Sequence, residues 1–134
     1  MNYTHELILS STYEELNRLE VFLNTLQTDL NFDDEFYARL MLTVSEAATN
    51  GVVHGNKLDE DKRVHITAFC DGQRLVVTTQ DEGEGFDPQS VKNPLDEENL
   101  LKASGRGVFL MGEYADLVTY EDSGKRLIME FQLP

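Results

Sequence analysis

The stretch VHITAFCDGQRLVVTTQ, from Val64 to Gln80, decides the fold class. Val64, Ile66, Ala68 and Cys70 alternate with His65, Thr67 and Phe69. After Asp71-Gly72, the residues Leu75, Val77 and Thr79 alternate in turn. A period of two with one apolar set marks a strand that buries one face. Asp-Gly between two such runs is the signal for a two-residue hairpin loop. Asp116–Glu121 and Arg126–Leu133 read as a second pair of strands, joined through Asp122-Ser123-Gly124. His5–Ser10 reads as a further strand, with Leu7 and Leu9 on one side.

Between the first strand and this hairpin the period changes. Ser11-Thr12-Tyr13-Glu14 has the form of a capping box, and behind it Leu16, Leu19, Leu23, Leu26 and Leu30 recur at helical spacing. A second helix opens near Asp33 or Asp34, where acids suit the positive end of the dipole. It runs to about His54 and stops at Gly55-Asn56. Pro88–Ser104 is polar, contains Pro94 and has room for one short helix around Glu97–Lys102; Val108–Tyr114 is a helix candidate. Helices gather early and hairpins late. The expected fold is α+β, a two-layer sandwich with helices packed on one face of a mostly antiparallel mixed sheet. With 134 residues and no repeat or linker, the chain is expected to form one domain, 1–134.

The formal charge is −14, from 25 acids against 11 bases. Such a surface repels nucleic-acid phosphates and anionic membranes, which excludes both as direct partners. The acidity reads as a solvated surface, with a face for a basic protein partner as the sharper alternative. The single Cys70 cannot form an internal disulfide and suits a reducing compartment. Met1–Glu6 has no leader character, and no apolar run is long enough to span a bilayer. These features set the expectation of a soluble, cytoplasmic protein.

The second helix carries an unusual polar line. At about 100° per residue, Arg39, Thr43, Glu46, Asn50 and His54 fall within a stripe roughly 80° wide. Around them stand Phe36, Leu40, Leu42, Val44, Ala47, Ala48, Val52 and Val53. A solvated helix face is broader and richer in Lys and Glu. Two readings follow. Glu46 pairs with Arg39 or caps backbone groups while Asn50 bonds a loop, or the seam lines a cleft. In the second reading Asn50 offers an amide oxygen, a hard neutral ligand suited to Mg²⁺. Glu46, one turn earlier, can take a proton from a hydroxyl or water. His54, at the helix end, is either a structural hydrogen-bonder or a ligand.

Two glycine signals lie downstream. Asp81-x-Gly83-x-Gly85 follows a strand. It is either a tight turn or a pocket in which Asp81 accepts from an exocyclic amine such as that of adenine, with glycine backbone against the base. Ser104-Gly105-Arg106-Gly107 precedes a helix, where free N–H groups bind phosphate. Arg106 and Lys102 add positive charge. The spacing is not that of a Walker A loop, nor of a dinucleotide fingerprint in a βαβ unit.

Glu46-x-x-x-Asn50-x-x-x-His54-Gly55, Asp81-x-Gly83-x-Gly85 and Gly105-x-Gly107, in this order, resemble the N, G1 and G2 boxes of the GHKL ATPases, the Bergerat fold. Within that superfamily the compact layout is similar, over nearly the whole chain, to the bacterial anti-sigma-factor serine/threonine protein kinases. The resemblance implies ATP and Mg²⁺, with Asn50 as metal ligand, Asp81 as adenine reader, and Gly83 and Gly85 as wall of the base pocket. It implies that His54, Lys102, Ser104, Gly105, Arg106 and Gly107 serve nucleotide binding, the last three at the end of an ATP lid over Pro88–Ser104. Glu46 would be the general base toward a substrate serine or threonine. The implied partners are a sigma factor and a small anti-anti-sigma antagonist, with a possible homodimer and with Arg18 of the first helix in partner contact. Gly51 departs from the Ala of many relatives and would let a ligand approach closely. An ATP-dependent binding switch, or a detached sensor-kinase ATPase domain without serine kinase activity, stand as alternatives.

Overall fold

The computed structural model describes residues 2–83, 114–121 and 125–133. Among the described residues five strands form one sheet: β1 (Tyr3–Ser10), β2 (Arg63–Cys70), β3 (Arg74–Gln80), β4 (Leu117–Glu121) and β5 (Arg126–Gln132). Their order is β1-β2-β3-β5-β4, and each of these four pairings is antiparallel. The helices α1 (Arg18–Leu30) and α2 (Asp34–Thr49) complete the layer architecture expected from the change of period. Among the described residues no helix is long and apolar enough to cross a membrane.

The core lies between the layers. Leu9, Val64, Ile66, Ala68, Leu75, Val77, Met129 and Phe131 supply the sheet side, and Leu19, Phe22, Leu23, Leu26, Phe36, Leu40, Val44 and Ala48 the helix side. The alternating sets therefore face inward as their spacing requires. The register is pinned because a one-residue slip would turn every buried strand residue to the other face. Asp33 caps α2 by accepting from the Phe36 N–H at 2.8 Å.

Two local signals are displaced by one residue. The β2–β3 ladder ends at Cys70 opposite Leu75, so the central residues of the turn are Gly72 and Gln73 rather than Asp71 and Gly72. Gly72 has φ of 98° at the first central position, where glycine is needed. Asp71 stands before it and accepts from the Gln73 and Arg74 N–H groups, both at 2.9 Å. The side-chain cap likewise comes from Thr12, not Ser11, and the answering Glu15 carboxylate reaches two residues further back than a capping box requires. Thr12 Oγ1 accepts from the Glu15 N–H at 3.2 Å, and the Glu15 carboxylate accepts from the Ser10 N–H at 3.1 Å. Ser11 is turned inward, where its hydroxyl donates to the Lys62 carbonyl at 2.8 Å.

Arg18, expected in partner contact, opens α1. Its guanidinium donates to the Ile8 carbonyl at 2.8 Å and pairs with Glu15 at 3.1 Å. This ties the helix start to the outer edge of β1 and covers backbone groups that an edge strand would otherwise expose.

Candidate active site

The α-helical ladder of α2 ends at Thr49, and residues Asn50–Gly55 form a π turn. The Asn56 N–H closes it by donating to the Gly51 carbonyl, five residues back, at 2.8 Å. The switch occurs at Asn50, whose N–H reaches both the Ala47 and Glu46 carbonyls. Such widened turns recur at functional sites. A projection with one helical period therefore holds from Arg39 to Thr49 and fails beyond it.

Two members of the polar line leave it. Thr43 is buried, and its hydroxyl donates back to the Arg39 and Leu40 carbonyls at 2.9 and 3.2 Å. Arg39 does not pair with Glu46. Its Nε and Nη2 donate to the Tyr114 carbonyl at 3.1 and 2.6 Å, and its guanidinium lies over the Phe36 and Phe131 rings. Both residues hold the fold together rather than line a cleft.

Glu46, Asn50 and His54 remain. Glu46 and Asn50 are partly buried and His54 is exposed. Among the described residues no hydrogen bond or ion pair engages the Glu46 carboxylate or the Asn50 side-chain amide. Burial pushes the Glu46 carboxyl above the usual carboxylate range, and the nearby His54 acts in the opposite direction. A partly desolvated carboxylate with no partner is suited to accepting a proton, and an unused amide oxygen is suited to a hard cation. Among the described residues no group of three or more His, Cys, Asp or Glu side chains could hold a metal ion. The Asn50 amide oxygen by itself is a hard neutral donor of the kind a cation that keeps most of its waters can use.

Asp81 follows β3 and packs against the π turn. Its N–H donates to the Lys125 carbonyl at 3.0 Å, and its Oδ1 accepts from the Gly83 N–H at 2.9 Å. Burial raises the Asp81 carboxyl, while the Gly83 N–H, Lys125 and Lys62 pull it down. Its other oxygen has no hydrogen-bond donor among the described residues and can take one from a ligand amine. The site depends on missing side chains. A Cβ on Gly55 would lie 2.6 Å from both Asp81 Cγ and Oδ2, and a Cβ on Gly83 would overlap the Gly55 carbonyl oxygen. Gly51 plays a different part from the one its place suggests. It is buried, and a Cβ there would meet the Val64 methyls at 3.3 and 3.4 Å and Asp81 Cβ at 3.7 Å, so it faces β2 and the base of the Asp81 side chain.

One residue escaped the sequence reading. Asn56 is 1% exposed, and its side chain joins three chain segments. Nδ2 donates to Ser11 Oγ at 2.9 Å and to the Arg63 carbonyl at 3.0 Å, and Oδ1 accepts from the Glu82 N–H at 2.7 Å. The one available signal, an Asn beside a helix-ending Gly, reads as a cap and says nothing of partners at 11, 63 and 82. The structure thus gathers Asp81, Gly83 and Gly55, and sets Glu46 within electrostatic reach of His54. Gly85, Lys102, Ser104, Gly105, Arg106 and Gly107, with the expected lid and its short helix, lie outside the described residues, as does most of the Val108–Tyr114 segment.

The sequence that builds this site has relatives among known proteins. The chain is 29% identical to the serine-protein kinase RsbW of Listeria monocytogenes serovar 1/2a over 133 residues, which cover 94% of this chain and 83% of the relative. It is 28% identical to an anti-sigma F factor of Clostridium perfringens over 130 residues, covering 93% and 91%. An anti-sigma F factor of Bacillus velezensis is 30% identical over 115 residues, covering 84% and 77%. The family model of the histidine kinase-like ATPase domain matches residues 9–131, from the end of β1 to the end of β5. With the helix-on-sheet fold, the Asn50 turn and the Asp81 strand end in place, the chain belongs to the histidine kinase-like ATPase domain family.

Proposed function

We propose that this chain is an anti-sigma factor with ATP-dependent protein serine/threonine kinase activity. It binds a sigma factor and phosphorylates a small anti-anti-sigma antagonist, so that the two partners exchange. The observation that carries the reading is the Glu46 carboxylate. It is unpaired among the described residues and raised by burial, one turn before Asn50, in a chain similar over 94% of its length to a serine-protein kinase. A pure binding module has no need of a base at that position, which favours the kinase over a binding switch or a detached sensor-kinase domain. The reading includes one domain over 1–134 with a lid over Pro88–Ser104, a homodimer and a cytoplasmic setting.

Phosphoryl transfer depends mainly on positioning and charge neutralisation. Asp81 accepts from the exocyclic amine of adenine, and Gly83 and Gly85 let the backbone lie against the base. Gly105, Arg106 and Gly107, with Lys102 and Ser104, hold the phosphates; His54 stands at the end of the Asn50 turn. Asn50 would hold Mg²⁺, which when bound neutralises phosphate charge. Glu46 accepts the proton of the substrate hydroxyl as the phosphoryl group arrives, and its raised basicity suits that transfer.

The test mixes the protein with Mg·ATP labelled at the γ-phosphate and candidate antagonists, followed by phosphoamino-acid analysis. Phosphoserine or phosphothreonine on the antagonist is the expected result. Antagonist that binds yet stays unlabelled while ATP is bound would leave a binding switch in place of a kinase.

A further inference from the structure

We propose that Asn56 is a positioning residue for adenine recognition: through the Glu82 backbone it sets where Asp81 and Gly83 stand relative to the turn that carries Asn50. The inference rests on the reading of Asp81 as the group that meets adenine.

The geometry leaves Asn56 little freedom. Its backbone N–H closes the π turn on the Gly51 carbonyl at 2.8 Å, and its carbonyl accepts from the Asp59 N–H at 3.0 Å. The side chain is therefore anchored to the turn itself. Its amide orientation follows from its partners. A backbone N–H can only donate and a backbone carbonyl can only accept, so Oδ1 must face Glu82 and Nδ2 must face Arg63. Ser11 fits the same direction, since its hydroxyl gives its own proton to the Lys62 carbonyl and accepts from Nδ2.

Glu82 is the link between Asp81 and Gly83. Its N–H is held by Asn56 at 2.7 Å, and its carboxylate accepts from the Arg63 N–H. On one side of it Asp81 carries the free oxygen; on the other the Gly83 N–H returns to Asp81 Oδ1 at 2.9 Å. A ligand-reading carboxylate has to be placed to within about 0.5 Å, and such placement comes from buried, fully bonded supports. Asn56 is that support: it touches no reading group, yet it fixes the residue between two of them.

The test separates positioning from a merely structural role. Asn56→Asp keeps an acceptor for Glu82 but loses both donors and sets a carboxylate against the Arg63 carbonyl. Asn56→Ala removes all three bonds. Ser11→Ala removes one limb of the network and touches neither Asp81 nor Glu82. Affinities for Mg·ATP and Mg·GTP are measured by calorimetry well below each variant's melting temperature. The expected result is that both Asn56 variants lose at least about tenfold of the wild-type preference for ATP over GTP, because a site built around a hydrogen bond discriminates only while that bond is in place. Ser11→Ala lowers the melting temperature and keeps the preference. A folded Asn56 variant with the wild-type preference overturns the inference and leaves the reading of Asp81 intact. A wild-type protein with no preference overturns that reading, and the inference with it. If neither Asn56 variant folds, hydrogen exchange on the wild-type protein decides. The Glu82 amide is expected to be protected without nucleotide and to shift on saturation with ATP; exchange at the rate of a free amide, or no shift, overturns the inference.

Discussion

The Asp81 carboxylate occupies the space that a side chain on Gly55 would fill. A Cβ on Gly55 would stand 2.6 Å from Asp81 Cγ and Oδ2 and 2.8 Å from Oδ1. The glycine that ends the Asn50 turn and the acid that ends β3 are therefore one fitted unit. Gly55→Ala must push the Asp81 carboxylate aside, which the short side chain can do by changing rotamer. We expect a folded protein whose ATP affinity falls by about tenfold or more, in line with losing a buried hydrogen-bond partner. Gly51→Ala is the contrast. A Cβ there would meet the Val64 methyls at 3.3 and 3.4 Å and Asp81 Cβ at 3.7 Å, an ordinary contact that leaves the carboxylate where it is, and alanine favours helix by up to about 1 kcal/mol. Stability should change by less than about 1 kcal/mol, and ATP affinity should hold. Calorimetry paired with thermal melts reads both variants; equal ATP affinity for Gly55→Ala and wild type would break the proposed link between Gly55 and the adenine site.

Arg39 is predicted to act on stability alone. Its two bonds to the Tyr114 carbonyl and its place over Phe36 and Phe131 tie α2 to the segment before β4. Arg39→Ala should cost about 1–3 kcal/mol in urea unfolding. Nucleotide affinity of the folded protein should be unchanged. A selective loss of ATP affinity with no loss of stability would return Arg39 to the polar seam.

The pH dependence has opposite signs at different carboxylates. Glu46 and Asp81 are raised in the folded state, chiefly by burial, so the folded protein holds protons that the unfolded chain has released. Their contribution to stability falls as pH rises from the ordinary carboxylate range, about 4, through their folded values. Glu15 is lowered, first by the Ser10 N–H and also by Arg18; its contribution is present above the unfolded value and is lost as pH falls through the folded one. Glu46→Gln should therefore melt no lower than wild type at pH 7, and any advantage should shrink toward pH 4. Glu15→Gln should melt lower at pH 7, with the gap closing in acid. Melting curves across this range check both; a lower melting temperature for Glu46→Gln at pH 7 would mean that Glu46 is a structural group.

Much of this architecture is legible in the sequence because single-face burial writes itself as period two in β2, β3 and β5, and as a leucine stripe in α1. Those signals are local and repeat, so each element carries several copies. The errors arise where one residue decides. The hairpin centre moved from Asp71-Gly72 to Gly72-Gln73 because Asp71 acts through its side chain. Thr43 looked polar by type, yet its hydroxyl satisfies itself on the preceding turn and leaves the residue apolar in effect. The π turn at Asn50–Gly55 was hidden because a helical projection assumes one period throughout. Asn56 was hidden for a different reason: its side-chain partners lie 45, 26 and 7 residues away, and only the folded chain brings them together.

The central claim is that Glu46 takes the proton of a protein hydroxyl while Asn50 serves the nucleotide. The most direct measurement is the rate of phosphotransfer from labelled Mg·ATP to the antagonist by Glu46→Gln, with ATP affinity and melting temperature taken on the same preparation. The account predicts wild-type ATP affinity, a melting temperature at or above wild type, and a transfer rate lower by roughly 10²–10⁴-fold, the usual worth of a positioned base. If the transition state is loose, with little proton transfer at its peak, the loss falls toward the lower figure. A stable, ATP-binding Glu46→Gln protein that phosphorylates the antagonist at the wild-type rate would contradict it.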